Sequence, residues 1–286
     1  MYKIAILGCE NSHANEFLKY IIEDKAYTDI EVVGVYSDDI EAAKKLNARF
    51  GVKVAESYDE FVGNVDGIVI TARNGANHYK YAKPYIPYGI PMFIDKPITN
   101  TEEDAIQLKK DLMEHNVRVS GGSVLKYPQL IQDLKKVVRE ETYGEVYGGF
   151  LRAPVNMVNE YGNFYFYSQH LVQMMTEIFG YFPHYVQAFR KGKVITCVVR
   201  YEKYDVTLTY VDGITTYFAG VNTLEKACID KFGFDGCFQQ EFASFYNVLT
   251  GGAQEQTYDE FIAPVFIMNA IERSLNSGQL ELVNRG

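Results

Sequence analysis

Residues 3–17 read KIAILGCENSHANEF, an apolar run that stops abruptly at Gly8. Ile4, Ala5, Ile6 and Leu7 have the look of a buried strand, and Ala14, Phe17, Leu18 and Ile21 follow at the i, i+3, i+4, i+7 spacing of a helix. Strand, glycine and amphipathic helix in that order open a dinucleotide-binding βα turn. The glycines of G-x-G-x-x-G permit a tight turn, a close approach of pyrophosphate and tight helix–strand packing. Only Gly8 is kept; Glu10 and His13 take the second and third glycine places. Glu10 brings a carboxylate toward the diphosphate, whereas Asn11, Ser12 and His13 offer hydrogen bonds at a helix start that attracts anions.

Outward from this turn, short apolar runs alternate with helical patterns over the first 120 or so residues. Strand-like segments are Tyr2–Leu7, Glu31–Tyr36, Gly67–Thr71, Met92–Ile94 and Arg118–Ser120, with helices over Ile40–Phe50 and Thr101–Asn116. Alternation of this kind predicts βαβ units and a parallel, doubly covered sheet. Residues 1–121 therefore read as an α/β Rossmann-like dinucleotide-binding domain.

Beyond Gly121–Gly122 the pattern changes. Helices are predicted over Pro128–Glu140, Asn163–Phe179 and Tyr258–Leu275. Strands are predicted over Glu145–Arg152, Tyr185–Arg190, Val194–Tyr201, Asp205–Tyr210 and Ile214–Val221, with Asp212–Gly213 as a two-residue hairpin between the last two. Residues 122–286 thus read as an α+β domain on an open, mostly antiparallel sheet.

Composition bounds the partners. A net charge of −9 argues against nucleic acid and anionic membrane surfaces. No apolar run approaches the ~20 residues of a membrane span, and MYKIAILG reads as a strand, not a secretion signal. The four cysteines lack C-x-x-C spacing, which argues against a zinc site or disulfide framework and for a reducing cytoplasm. The five histidines lie far apart with no H-x-x-x-H, so no metal constellation is visible. The 23 tyrosines suit a wet substrate cleft or subunit interface, and equally a packed sheet.

Several segments taken together resemble the glucose–fructose oxidoreductase / inositol dehydrogenase / MocA-like (Gfo/Idh/MocA) oxidoreductases. They are KIAILGC, EVVGVYSDDIEAAKKLNARFG, DGIVITARNGANH, FIDKPIT, YGEVYGGF and YSQHLVQMMTEIFG, in the family's order across nearly the whole chain. The resemblance implies catalytic roles for Lys96 and His170. In FIDKPIT the family's usual Glu-Lys-Pro is Asp95-Lys96-Pro97, whose lysine would hold or polarise a substrate hydroxyl. His170 matches the histidine of D-x-x-x-H, which takes the alcohol proton as hydride leaves; the acid is replaced by Phe166, and Tyr167 could supply a hydroxyl in its stead.

The same resemblance places Thr71, Asn74 and His78 along the cofactor, and Lys126, Tyr127, Arg152, Asn156 and Tyr167 around the substrate. The acid that binds the adenosine ribose of NAD at the end of the second strand is replaced by Ser37, followed by Asp38 and Asp39; Asp38 reaches the ribose if the register shifts by one. Two acids without an arginine favour NAD over NADP. The implied activity is hydride transfer between NAD or NADP and a sugar, polyol or related hydroxy compound. A lyase or epimerase using NAD transiently, or a non-catalytic ligand-binding or sensing relative, fits the same fold. The resemblance also implies a homo-oligomer, dimer or tetramer, joined through the sheet between Val194 and Val221.

Overall fold

The structure is a computed structural model describing residues 1–286. Its first part alternates β1 (Tyr2–Leu7), α1 (Ser12–Leu18), β2 (Ile30–Tyr36), α2 (Ile40–Phe50), β3 (Gly67–Ile70), α3 (Ala76–Ala82), β4 (Met92–Asp95), α4 (Glu102–Glu114) and β5 (Val119–Gly122). All pairings are parallel and the strand order is β2-β1-β3-β4-β5. The chain reverses its direction of winding between β1 and β3, and the C-terminal ends of those strands border the crevice where such sheets take ligands.

Local chemistry sets these elements. Ile4 and Ile6 of β1 face one hydrophobic cluster while Ala5 and Leu7 face another, so both faces of the strand are buried and the run reads as continuously apolar. Asp39 caps α2 by accepting from Ala42 N, and Gly51 ends that helix at φ +71°. Thr101 caps α4, whose first turn holds Glu102, Glu103 and Asp104 where the helix dipole favours negative charge.

The second part comprises α5 (Gln129–Glu140), β6 (Val146–Val155), α6 (Phe164–Phe179), β7 (Tyr185–Lys191), β8 (Val194–Arg200), β9 (Asp205–Asp212), β10 (Tyr217–Thr223), β11 (Ala227–Phe232), α7 (Cys237–Leu249), α8 (Tyr258–Ser277) and β12 (Glu281–Leu282). A seven-stranded sheet runs β11-β10-β6-β9-β8-β7-β12. Its pairings are antiparallel except β6 with β9.

The predicted Asp212–Gly213 hairpin is corrected by this order. Gly213 does turn at φ +82°, but β9 and β10 are not neighbours; they flank β6 on opposite sides. A two-residue signal reports only the local reversal. Here the long buried β6 offers two edges, and the next strand takes the far one.

One element unread in the sequence matters for the site. Helix α7 returns to the first sheet, where Phe242, Phe245, Val248 and Leu249 pack with Ile4, Ile6, Phe17 and Phe93. No helix is long and apolar enough to cross a membrane.

Candidate active site

Three strand ends meet at Gly8. Gly8 N and Cys9 N both donate to Tyr36 O (2.8 and 3.1 Å), and Thr71 Oγ1 donates to Gly8 O at 3.0 Å. At φ +72° a Cβ on Gly8 would stand 2.4 Å from Ala72, so the turn admits only glycine. His78 Nε2 lies 2.7 Å from Ala72 O. Thr71 and His78, expected along a cofactor, are fully buried and brace this turn from behind.

In front of the turn, Glu10 reaches across the crevice. Its Oε2 accepts from Ser37 Oγ at 2.6 Å and its Oε1 from Arg73 N at 2.9 Å. Asn11 caps α1 through Ser12 N (2.7 Å) and donates its Nδ2 to Asp95 Oδ2 (2.7 Å). Asp38 accepts from the hydroxyls of Tyr36 (2.6 Å) and Tyr81 (2.7 Å). Burial pushes the Asp38 carboxyl up, but those two hydrogen bonds together with the charge of Lys80 hold it below its usual range. Asn74 Oδ1 accepts from Ala76 N and Asn100 Nδ2, fixing the loop before α3.

At the end of β4, Lys96 precedes a cis peptide to Pro97 and is buried. Its Nζ donates to Phe166 O at 3.3 Å and lies 4.7 and 5.2 Å from the ring centroids of Phe166 and Tyr167. Phe166, at the position where an acid is expected, thus supplies a backbone carbonyl and an aromatic face. Burial lowers the Lys96 pKa, with the Asp95 carboxylate opposing.

One turn along α6, His170 Nδ1 pairs with Ser123 Oγ at 2.6 Å, and its ring stands 5.1 Å from that of Tyr167. Burial, then the charge of Lys96, moves the His170 pKa well below that of a free imidazole. Gln169 Oε1 accepts from Ile98 N at 2.9 Å, docking α6 onto the loop after Pro97. Lys96 and His170, from separate parts of the chain, therefore share Tyr167 as neighbour.

His13 corrects an expectation. It is buried and turned inward, away from the crevice, with Nδ1 3.3 Å from Asp95 Oδ2 and Nε2 3.0 Å from Glu241 Oε2. Neither approach has hydrogen-bond angles, so both imidazole nitrogens and both Glu241 oxygens lack a partner. Burial raises Asp95 to about 6 and Glu241 to about 8, and lowers His13. The three residues offer donor atoms within 4.8 Å of one another, a set chemically able to hold a cation. Lys96 and Lys126 already bring positive charge toward Glu241. This cluster is invisible in the sequence because α7 was unread; Phe238, Phe242, Phe245 and Leu249 carry the helical period that would have found it.

The residues expected at the substrate divide. Tyr167 and Asn156 line a cavity of about 460 Å³ with Asp212, Thr215, Tyr217 and Phe234. Lys126 and Tyr127 turn to a different, polar cavity of about 380 Å³, bonded to Glu255 at 3.0 and 3.1 Å. Arg152 pairs across β6 with Thr209 and Phe218. It therefore points to the face of the sheet opposite buried Leu151 and Ala153.

This is a two-domain chain built on a Rossmann-type domain, with a lysine and a histidine converging beside its crevice. The family model for the Gfo/Idh/MocA oxidoreductases, an oxidoreductase family with an NAD-binding Rossmann fold, matches residues 2–123. Glucose-6-phosphate 3-dehydrogenase of Bacillus subtilis is 24% identical over 149 residues. That match covers 51% of this chain and 40% of the relative, so the chain spans about two fifths of its length. Myo-inositol 2-dehydrogenase of Lactobacillus plantarum superposes with TM-score 0.85 at 15% identity, covering 99% of each chain. Scyllo-inositol dehydrogenase of Lactobacillus casei, with bound NAD(H) and scyllo-inositol, gives 0.84 at 14% identity, again over 99% of each chain. At these identities the superpositions establish the fold.

Proposed function

We propose that this chain is an NAD(P)-dependent oxidoreductase that exchanges hydride between a nicotinamide and a sugar, polyol or related hydroxy compound. The observation that carries the reading is the convergence of Lys96 and His170 on Tyr167 beside a polar-edged cavity. The residues at the crevice suit a dinucleotide: a glycine turn that no other residue fits, and a partly exposed Glu10 carboxylate held by the buried Ser37 hydroxyl at the end of β2. The dinucleotide, when bound, supplies the hydride acceptor.

The chain's own residues manage the proton and the oxygen. With Nδ1 engaged by Ser123, His170 is neutral and offers Nε2 as the base that takes the substrate O–H proton. The Lys96 ammonium polarises the same oxygen and stabilises the developing negative charge. Tyr167 and Asn156 would hold substrate hydroxyls. Carboxylates at Glu10, Asp38 and Asp39 favour NAD over NADP.

The chain incubated with NAD and a panel of sugars and polyols should produce reduced nicotinamide, followed at its absorbance band. Lys96→Met should abolish the signal; full turnover in that variant removes the assignment. A non-catalytic relative is the second reading, favoured by Phe166 where an acid is expected and by Glu10 bridging the crevice. It predicts no thermal stabilisation by either nucleotide, whereas a ligand at 100 times its Kd adds about 2.7 kcal/mol.

The outward face of the seven-stranded sheet would join copies of the chain. It carries Phe189 and Ile229, 53% and 45% exposed, with Val198, Phe150 and Phe218 between them.

A further inference from the structure

Two departures from the expected nucleotide site stand far apart in sequence. The turn has Glu10 where a glycine is expected, and the end of β2 has Ser37 where an acid is expected. The fold joins them: the Glu10 carboxylate stands 2.6 Å from Ser37 Oγ. We propose that Glu10 is the ribose-binding acid of this chain, supplied by the turn after β1 instead of the end of β2. This assignment rests on the dinucleotide reading above.

The geometry fits a carboxylate held for use. Ser37 is buried and doubly fixed, donating to Glu10 and accepting from Asp39 N at 3.0 Å, so its hydroxyl cannot turn elsewhere without loss. Arg73 N at 2.9 Å fixes the other oxygen. Each Glu10 oxygen accepts one hydrogen bond and keeps a second acceptor site. The residue is partly exposed, so those sites reach the crevice. Glu10 forms no ion pair: the Arg73 guanidinium turns away to Tyr161, 3.0 Å from its hydroxyl and 5.1 Å from its ring centroid.

An uncompensated carboxylate with free acceptor sites is suited to vicinal hydroxyls, which are donors. It is unsuited to a 2′-phosphate, which would meet Glu10 and Asp38 together as a third anion. A glutamate in the turn therefore does the recognition that Ser37 cannot, and Ser37 becomes its clamp. The two departures compensate each other.

Binding of NADH and NADPH to the full chain tests this, by nucleotide fluorescence titration on the wild type, Glu10→Gln and Ser37→Ala. Hydrogen bonds to a charged acceptor of this kind set the scale. Wild type should prefer NADH, Glu10→Gln should weaken NADH by about 10- to 100-fold while leaving NADPH unchanged or tighter, and Ser37→Ala should lose a smaller part of the preference. Unaltered melting temperatures confirm that the variants are folded. Tighter NADH binding by Glu10→Gln would make Glu10 an obstruction and overturn the assignment, as would equal changes for both nucleotides. A wild type that binds NADPH as tightly as NADH overturns the assignment alone; one that binds neither overturns the dinucleotide reading and the assignment with it.

Discussion

His13 Nε2 stands 3.0 Å from Glu241 Oε2, both groups sealed from solvent, one at the start of α1 and the other on α7. The contact ties the turn after β1 to the helix that covers its sheet. It also leaves a carboxyl without a proper hydrogen bond in the core, which is unfavourable when ionised.

Stability should therefore fall with rising pH through this group. Unfolded, Glu241 loses its proton near 4.5; folded, near 8, with His13, Asp95, Lys96, Lys126 and Glu255 around it. Between those values the folded state binds more protons, so stability is present at low pH and lost as pH rises toward 8. Glu241→Gln removes this dependence. Melting temperatures from about pH 5 to about pH 9 should show the variant gaining on the wild type as pH rises. Parallel curves would mean that Glu241 is ionised throughout and compensated by its lysines.

Much of this arrangement was legible. The parallel domain followed from apolar runs ending at Gly8 and Gly121, because both faces of such a sheet are buried and leave an unmistakable pattern. The motifs single out Lys96 and His170, and the fold brings both beside Tyr167. What local reasoning missed is long-range. The partner of His13 comes from α7, the neighbour of Glu10 is Ser37, and β10 skips β9 for the far edge of β6. Side-chain direction decides each case, and direction depends on packing that no short stretch encodes.

Gly121→Ala should destabilise the junction between the two parts. The residue holds φ +124°, and a Cβ there would stand 2.0 Å from Ile94 O on β4. Neither the backbone nor the neighbouring carbonyl can yield cheaply, so a loss of about 3 kcal/mol or more is expected. Urea denaturation measures it. A loss under about 1 kcal/mol would show that β4 and β5 can separate without penalty.

The open sheet face should make the protein an oligomer in solution. Phe189 and Ile229 lie at opposite ends of one face, and the Phe150 and Phe218 rings between them are 5.4 Å apart. Burying that face would remove apolar surface from water at roughly 25 cal/mol per Å². Light scattering at micromolar concentration should give at least a dimer, and Phe189→Asp with Ile229→Asp should yield monomers that keep their secondary structure. A monomeric wild type refutes the interface.

His170 should act as a base well into the acid range. Burial and then Lys96 disfavour its imidazolium, so the folded pKa lies well below 6.5. The acid limb of kcat/KM, where the base becomes protonated, should accordingly fall below pH 6.5. His170→Asn should lower kcat by about 10²- to 10⁴-fold without weakening nucleotide binding. An NMR titration of the imidazole tests the electrostatics apart from turnover: in Lys96→Met the repelling ammonium is gone, and the His170 titration should move toward higher pH. The Lys96 charge raises the penalty for protonating His170 and so keeps the base free. An unmoved titration would leave burial alone as the cause and would separate Lys96 from control of the base.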